Sequence, residues 1–302
     1  MAAPCQTDVH LIFPAFTTQV DRAASRYIRI WTWFKTTFTP LAIEKGWAPR
    51  LHIGIPDPAK LQHATYKKQP DGTMEMVYDE SDRVSKGKWV RAALEAVKER
   101  RSDDQYVGKV LVVHMDGSGK IKFDAVITAV CALEGDTEMV LGLRDDPCIT
   151  MDPQRVVVEH FENFLLEEKY NVELRDAQCG CWGFNADVLM KLPLCAGSYE
   201  IELDVLISAL ESHIPFSYVK VNLDSDIEAN GQKQTDYSAE DDIKKLRFLG
   251  LRTGYSFDVI ATLVPSFEKR RNELLPAPYK EQLEKLAAEA TTAKHYRKPQ
   301  VV

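Results

Sequence analysis

The apolar run Val110–Val113 carries straight into an acidic turn, His114-Met115-Asp116-Gly117. Four apolar residues without alternation predict a strand buried on both faces, the habit of parallel sheets. Similar short runs at Val9–Phe13, Leu51–Ile55, Met74–Tyr78, Glu138–Leu143 and Phe216–Val221 predict further strands. Between them the spacing turns helical. Val20, Ala24, Tyr27, Trp31, Phe34 and Phe38 share one stripe, whose aromatics read as core packing. Further helices are expected from Lys88 to Arg101, at Phe123–Leu133, and from Pro153 to Glu168. In the last of these, Asp152 is an N-cap and Pro153 takes the first helical position. Glu200–Leu210 is an amphipathic helix, whereas Asp176–Phe184, rich in Cys, Gly and aromatics, reads as a loop.

Strand and helix alternating through short links predict a parallel α/β sheet with right-handed crossovers, sandwiched between helical layers. The polar, turn-prone stretch Asp224–Asp236 breaks that rhythm. Beyond it only helices are expected, at Ala239–Leu249, Ser256–Leu263 and Tyr279–Ala293. The chain is therefore divided into an α/β domain over 1–225 and a helical C-terminal extension over 226–302.

Composition narrows the class. With 45% hydrophobic and 27% charged residues over 302 positions, the chain can bury a sizeable core. A formal charge of −7 gives no overall basic footprint for nucleic acid, although Lys98–Arg101, Lys244–Arg247 and Lys269–Arg271 are basic clusters. Only Cys179 and Cys181 among the six cysteines are closely spaced, and C-x-C alone is a weak zinc signal. They read as reduced, small packing residues in a cytoplasmic protein. No signal-peptide pattern opens the chain, and no apolar run approaches the ~18 residues of a membrane span.

The chemistry collects where strands end, the edge at which open α/β sheets take their ligands. Asp57 follows the second strand, Asp116 the fourth and Arg144 the fifth, with Lys86 and Lys88 at a helix start. Carboxylates for a cation, with cations for phosphates, suit a nucleotide diphosphate. The dinucleotide, P-loop, G-x-S-x-G and H-E-x-x-H motifs are all absent.

The order of segments resembles the nucleotide-sugar glycosyltransferases of GT-A fold, above all the inverting family that contains the dolichyl-phosphate glucosyl- and mannosyltransferases. The series is Phe13-Pro14-Ala15, Pro56-Asp57-Pro58, Lys86-Gly87-Lys88, His114-Met115-Asp116-Gly117, Gly142-Leu143-Arg144, Asp176 to Phe184, and Tyr199 to Asp204. It spans Val9 to Val221, and the Asp176–Phe184 segment is its most specific member. The resemblance implies a Rossmann-like three-layer αβα sandwich and transfer of a hexose from a UDP-glucose or GDP-mannose type donor. It also implies a divalent cation, Mn²⁺ or Mg²⁺. The chain departs from the family pattern at His114, where a first Asp is usual, and at Pro56, where a double Asp is usual. Histidine ligates Mn²⁺ better than Mg²⁺.

By the same resemblance Asp116, with His114, would hold the cation; the alternatives are a turn Asp before Gly for Asp116 and a buried, hydrogen-bonded core residue for His114. Pro14, Ala15, Asp57, Lys88 and Arg144 would contact the donor. Asp57 and Lys88 are equally readable as a turn residue and a solvated helix start, and Arg144 as a partner of Asp145 or Asp146. Asp176 and Glu202 are the candidate catalytic carboxylates, needed as a base if the acceptor is a hydroxyl but not if it is a phosphate. The alternative reading of Asp176 is a cap on its own turn. Trp182 and Glu200 would face the acceptor, with core packing of Trp182 the alternative. The acceptor is open: a small molecule, a glycan or a modified nucleobase in DNA. Two other classes stand beside this one, a sugar nucleotidyltransferase and a transferase-like binding module without turnover.

Overall fold

The computed structural model describes residues 7–14, 20–54, 63–68, 74–79, 86–102, 108–118, 120–149, 151–196, 200–224 and 239–296. Ala15 and Asp57 lie outside the described residues. The chain divides into two compact units, Met1–Asp145 with Cys179–Ile227, and Asp146–Gln178 with Glu228–Val302.

The first unit is built on a six-stranded sheet: β1 (Thr7–Pro14), β2 (Trp47–Gly54), β5 (Val110–Met115), β6 (Met139–Arg144), β7 (Cys181–Asn185) and β8 (Phe216–Val221). Their order across the sheet is β2-β1-β5-β7-β6-β8. β1 pairs in parallel with β2 and β5, and β6 with β8, whereas β7 runs antiparallel between β5 and β6. The sheet is thus mainly parallel, as the alternation predicts, but not wholly so. A separate antiparallel pair joins β3 (His63–Lys68) to β4 (Met74–Asp79); the periodicity predicts the second of these strands and not the first.

Alternation of side chains places Val9, Leu11 and Phe13 on one face, in a core shared with Ile30, Phe34, Phe38, Val126 and Val130. Those partners come from α1 (Val20–Trp33), the π-helical turn Phe34–Phe38 and α4 (Asp124–Glu134). Pro40 explains the π turn. In one continuous α-helix it would delete a hydrogen bond and crowd the carbonyl four residues back, so the chain widens before α2 (Thr39–Lys45) begins. On the opposite face α3 (Lys86–Arg101) lays Trp89 against β2, with α6 (Ala186–Leu189) and α7 (Ile201–Glu211) beside it. This is a three-layer αβα arrangement.

Within the predicted loop Asp176–Phe184 the structure places four of the five residues of the central strand β7. A run of Cys and Gly reads as a turn, yet Gly183 is there for packing. A Cβ at Gly183 would stand 2.6 Å from the Val112 carbonyl, so only glycine lets β7 lie this close to β5.

The second unit is helical: α5 (Pro153–Tyr170), α8 (Ala239–Thr253), α9 (Phe257–Arg271) and α10 (Ala277–Tyr296). Asp152 caps α5 as expected, accepting the Gln154 N–H at 2.8 Å. The core of the unit is aromatic. Phe267 meets Phe161 and Phe164 edge-on at 5.2 and 5.7 Å, and Tyr279 meets Phe161 at 6.4 Å. α9 runs through Pro265 to Arg271, beyond the end expected at Leu263, because Val264 and Phe267 keep the apolar stripe in the core. Among the described residues no helix is long and apolar enough to cross a membrane.

Candidate functional site

β5 stays in the sheet through Met115, and Asp116 is the first residue to leave it. Two backbone bonds set its position. The Asp116 N–H donates to the Gly180 carbonyl at 2.7 Å, and the Gly117 N–H donates to the Pro14 carbonyl at 3.1 Å. The ends of β1 and β5 and the start of β7 are thereby tied at one sheet edge. Gly180 is needed for this approach, since a Cβ on it would lie 2.9 Å from the Asp116 Cβ. Asp116 Oδ1 accepts the Ser118 N–H at 3.3 Å, closing an Asx turn. A carboxylate has about four lone-pair sites, so this turn leaves capacity for a ligand on the half-buried side chain.

His114 sits two residues earlier in the same strand, with its ring wholly inside. It stacks on Trp182 with ring centroids 4.4 Å apart and planes 8° from parallel, because the two residues are directly paired between β5 and β7. Burial holds the His114 pKa well below 6.5; the Lys86 charge adds to this, and the Gly180 backbone opposes it. The imidazole is therefore neutral, the form that ligates metals. Its ring is fully buried, however, and Trp182 is only 2% exposed. Among the described residues no three His, Cys, Asp or Glu side chains converge as a metal site. A cation at Asp116 would take its other ligands from phosphate oxygens and water, which is how Mg²⁺ and Mn²⁺ accompany nucleotides.

Lys86 and Glu202 complete this cluster. They form an ion pair between the first turns of α3 and α7, with side chains 10% and 9% exposed. Lys88, two residues on, is exposed on the outer side of α3. The sequence names both lysines, and a shift of two along a helix turns a side chain by about 200°; only Lys86 comes to bear on His114. Glu200 is the N-cap residue of α7, half-buried and without a side-chain capping bond. Asp204, fully buried, has a bracing role that its sequence position does not announce. Its Oδ2 accepts the Cys195 and Ala196 N–H groups at 2.5 and 2.6 Å, fixing the chain ahead of α7.

Arg144 ends β6, half-buried, opposite Val221 of β8. Its neighbour Asp145 pairs with Lys220 at 2.8 Å on the surface. Pro14 is buried and contributes its carbonyl to the turn at Gly117. Cys179 and Cys181 are buried, and burial pushes the Cys181 thiol up to about 12, so it is an unreactive packing residue.

Asp176 belongs to the second unit, where it is 6% exposed. Close by in that unit is a buried polar cluster that sequence reasoning misses. The Gln178 amide donates to Glu162, and Lys245 Nζ donates to Gln178 Oε1 at 2.7 Å. Burial raises the Glu162 pKa to about 8, with Lys245 opposing, Asp242 and Glu159 adding, and the Gln178 bond opposing. The signal available in the sequence is weak: acidic residues at 159 and 162 fall on an otherwise apolar stretch of α5.

No protein-family model matches the chain, and no curated protein matches it. Among solved structures it is similar to glucosyl-3-phosphoglycerate synthase from Mycobacterium tuberculosis in complex with Mn²⁺, UDP-glucose and phosphoglyceric acid, at 15% identity and a TM-score of 0.47 over 82% of this chain and 79% of that one. A second structure of the M. tuberculosis synthase is similar at 17% identity and a TM-score of 0.42, over 85% and 79% of the two chains. A mycobacterial protein of unstated activity is similar at 15% identity and a TM-score of 0.45, over 85% and 74%.

Proposed function

We propose that the chain is a glycosyltransferase that moves a hexose from a nucleoside-diphosphate sugar to an acceptor oxygen, with a divalent cation at the diphosphate. The observation that carries this reading is Asp116, held at the ends of β5 and β1 by backbone bonds to the Gly180 and Pro14 carbonyls. Asp116, a carboxylate at the sheet edge, would hold such a cation. When bound, such a cation neutralises charge on the leaving diphosphate.

The chain's own groups divide the remaining work. Asp116 orients the diphosphate, and Lys86 supplies a positive charge for the phosphates. Arg144, at the end of β6, is the second cationic contact in this reading. Glu202, paired with Lys86, is the candidate base for an acceptor hydroxyl. Pro14, Ala15 and Asp57 border the donor in this reading, and Glu200 the acceptor. Trp182 acts through His114, as a rigid platform beneath the strand end, rather than by stacking on a sugar.

The test is a panel of UDP- and GDP-sugars with Mn²⁺ or Mg²⁺, read by released nucleoside diphosphate, with acceptors added one class at a time. Wild-type protein is expected to release diphosphate and Asp116→Ala is not. Full activity in Asp116→Ala defeats the assignment. Donor binding by calorimetry without turnover on any acceptor favours a binding module instead, a reading motivated by the sequestered His114.

A further inference from the structure

The second unit contains a cleft of about 470 Å³ that the reading above leaves unused. It lies between the C-terminal half of α5, the segment 173–175 and the end of α9. His160, Asn163 and Glu167 recur at intervals of three and four, so α5 turns one polar stripe toward it. The volume falls within the range of small-molecule sites.

Its polar groups are unusual in two ways. Several of its charged groups are held in pairs. Arg271 Nη2 contacts both Glu167 oxygens at 2.7 Å, and His160 Nδ1 lies 3.0 Å from both Glu273 oxygens. Arg270 reaches Glu168 at 2.5 Å. Glu167 also accepts the Leu174 N–H at 3.0 Å, which braces the segment on the far wall. In contrast, Asn163 is 4% exposed, and its buried Oδ1 has no hydrogen-bond partner among the described residues. A buried acceptor left unmade costs about 1–3 kcal/mol, which a ligand donor would recover.

We propose that this cleft binds a neutral polyhydroxylated ligand, a carbohydrate in class, through Asn163 and the paired polar groups of His160, Glu273, Glu167 and Arg271. A free anion would meet Glu167 and Glu273, and a free cation would meet Arg271 and Arg270. Hydroxyl groups donate and accept at once, so they can join such pairs without breaking them. The site is independent of the transferase reading and needs no turnover to be detected.

Saturation-transfer NMR on the full chain, with methyl β-glucopyranoside and maltose as probes and inorganic phosphate as the anion control, tests it. Wild-type protein is expected to give transfer to at least one sugar, with a Kd in the millimolar range. Asn163→Leu and Glu273→Ala should each weaken binding about tenfold, the loss of one good hydrogen bond. Glu273 lies at the rim with its side chain 30% exposed, so its variant reports even if Asn163→Leu fails to fold. Asp116→Ala should leave this binding intact. The proposal is overturned by absent transfer from both sugars, by transfer undiminished in Glu273→Ala, by loss of transfer in Asp116→Ala, or by phosphate binding in place of the sugars.

Discussion

Lys86 and Glu202 are locked in an ion pair from which water is largely excluded, joining the first turns of α3 and α7. Breaking such a pair leaves one buried charge alone, at a cost of about 3–5 kcal/mol, whereas replacing both partners by apolar residues is often neutral. Glu202→Gln and Lys86→Met should each lower the urea midpoint strongly, and the Lys86→Met/Glu202→Leu double variant should recover most of the loss. Diphosphate release from the donor should be lost in the double variant even though its stability returns. Recovery of both together would remove Lys86 and Glu202 from the chemistry.

The contact of Gly180 with Asp116 gives a second, sharper variant. A methyl group on Gly180 would lie 2.9 Å from the Asp116 Cβ, closer than two carbons can pack, so the strand-end turn has to move. Gly180→Ala should weaken Mn²⁺-dependent donor binding by about tenfold, since a misplaced ligand of about 1 Å is enough to cost that much. The same variant should lose less than about 1.5 kcal/mol of stability, because the contact lies in a half-buried turn at a strand end and not within the core. Calorimetric titration with UDP-glucose and Mn²⁺, paired with a denaturation curve, reads both. Unchanged donor affinity would show that Asp116 is no more than a turn residue.

Five of the six sheet strands were readable as short apolar runs, and their C-terminal ends fall within two residues of the expected positions. Asp116 was found this way. What stayed hidden followed from interactions between distant segments. Cys181–Asn185 looks like a loop until Gly183 meets the Val112 carbonyl of β5. Lys86 and Lys88 are equivalent in sequence, and only the pairing of α3 with α7 selects Lys86. Trp182 reads in the sequence as either an acceptor contact or a core residue, and the sheet makes it a buried platform for His114, because strand pairing sets it directly opposite. The Glu162–Gln178–Lys245 chain joins residues up to 83 positions apart, beyond any local pattern.

Acid should unfold the first unit through its buried histidines. His52 is fully buried against His10, its Nε2 lying 3.0 Å from the His10 Nδ1. Burial, with Arg50 adding, lowers the His52 pKa from 6.5 to about 4. Between those values the unfolded chain binds a proton that the folded chain does not, so stability falls as pH drops from 6.5 to about 4 and levels off below. For this one group the loss approaches about 3 kcal/mol. His114, lowered for the same reason, acts in the same direction. Urea denaturation at intervals across this window should show the fall, and His52→Gln should reduce its slope by close to one proton. A slope unaffected by that substitution would assign the acid sensitivity elsewhere.

The second unit should respond to pH with the opposite sign. Glu162 is fully buried and its carboxyl titrates at about 8 instead of 4.5, so the folded unit keeps a proton there at neutral pH. Between those two values the folded state binds more protons than the unfolded state, and stability therefore decreases as pH rises, until both are ionised above about 8. Glutamine reproduces the neutral carboxyl in size and can still accept the Gln178 amide bond, and Lys245 Nζ keeps its own bond to Gln178 Oε1 at 2.7 Å. Glu162→Gln is expected to match wild type near pH 5 and to be the more stable of the two near pH 9, by an amount that grows across the interval. Thermal melts of both proteins at these two pH values decide it. Equal pH dependence in the two would mean that Glu162 ionises normally, and a variant less stable at both would mean that its charge is used in the fold.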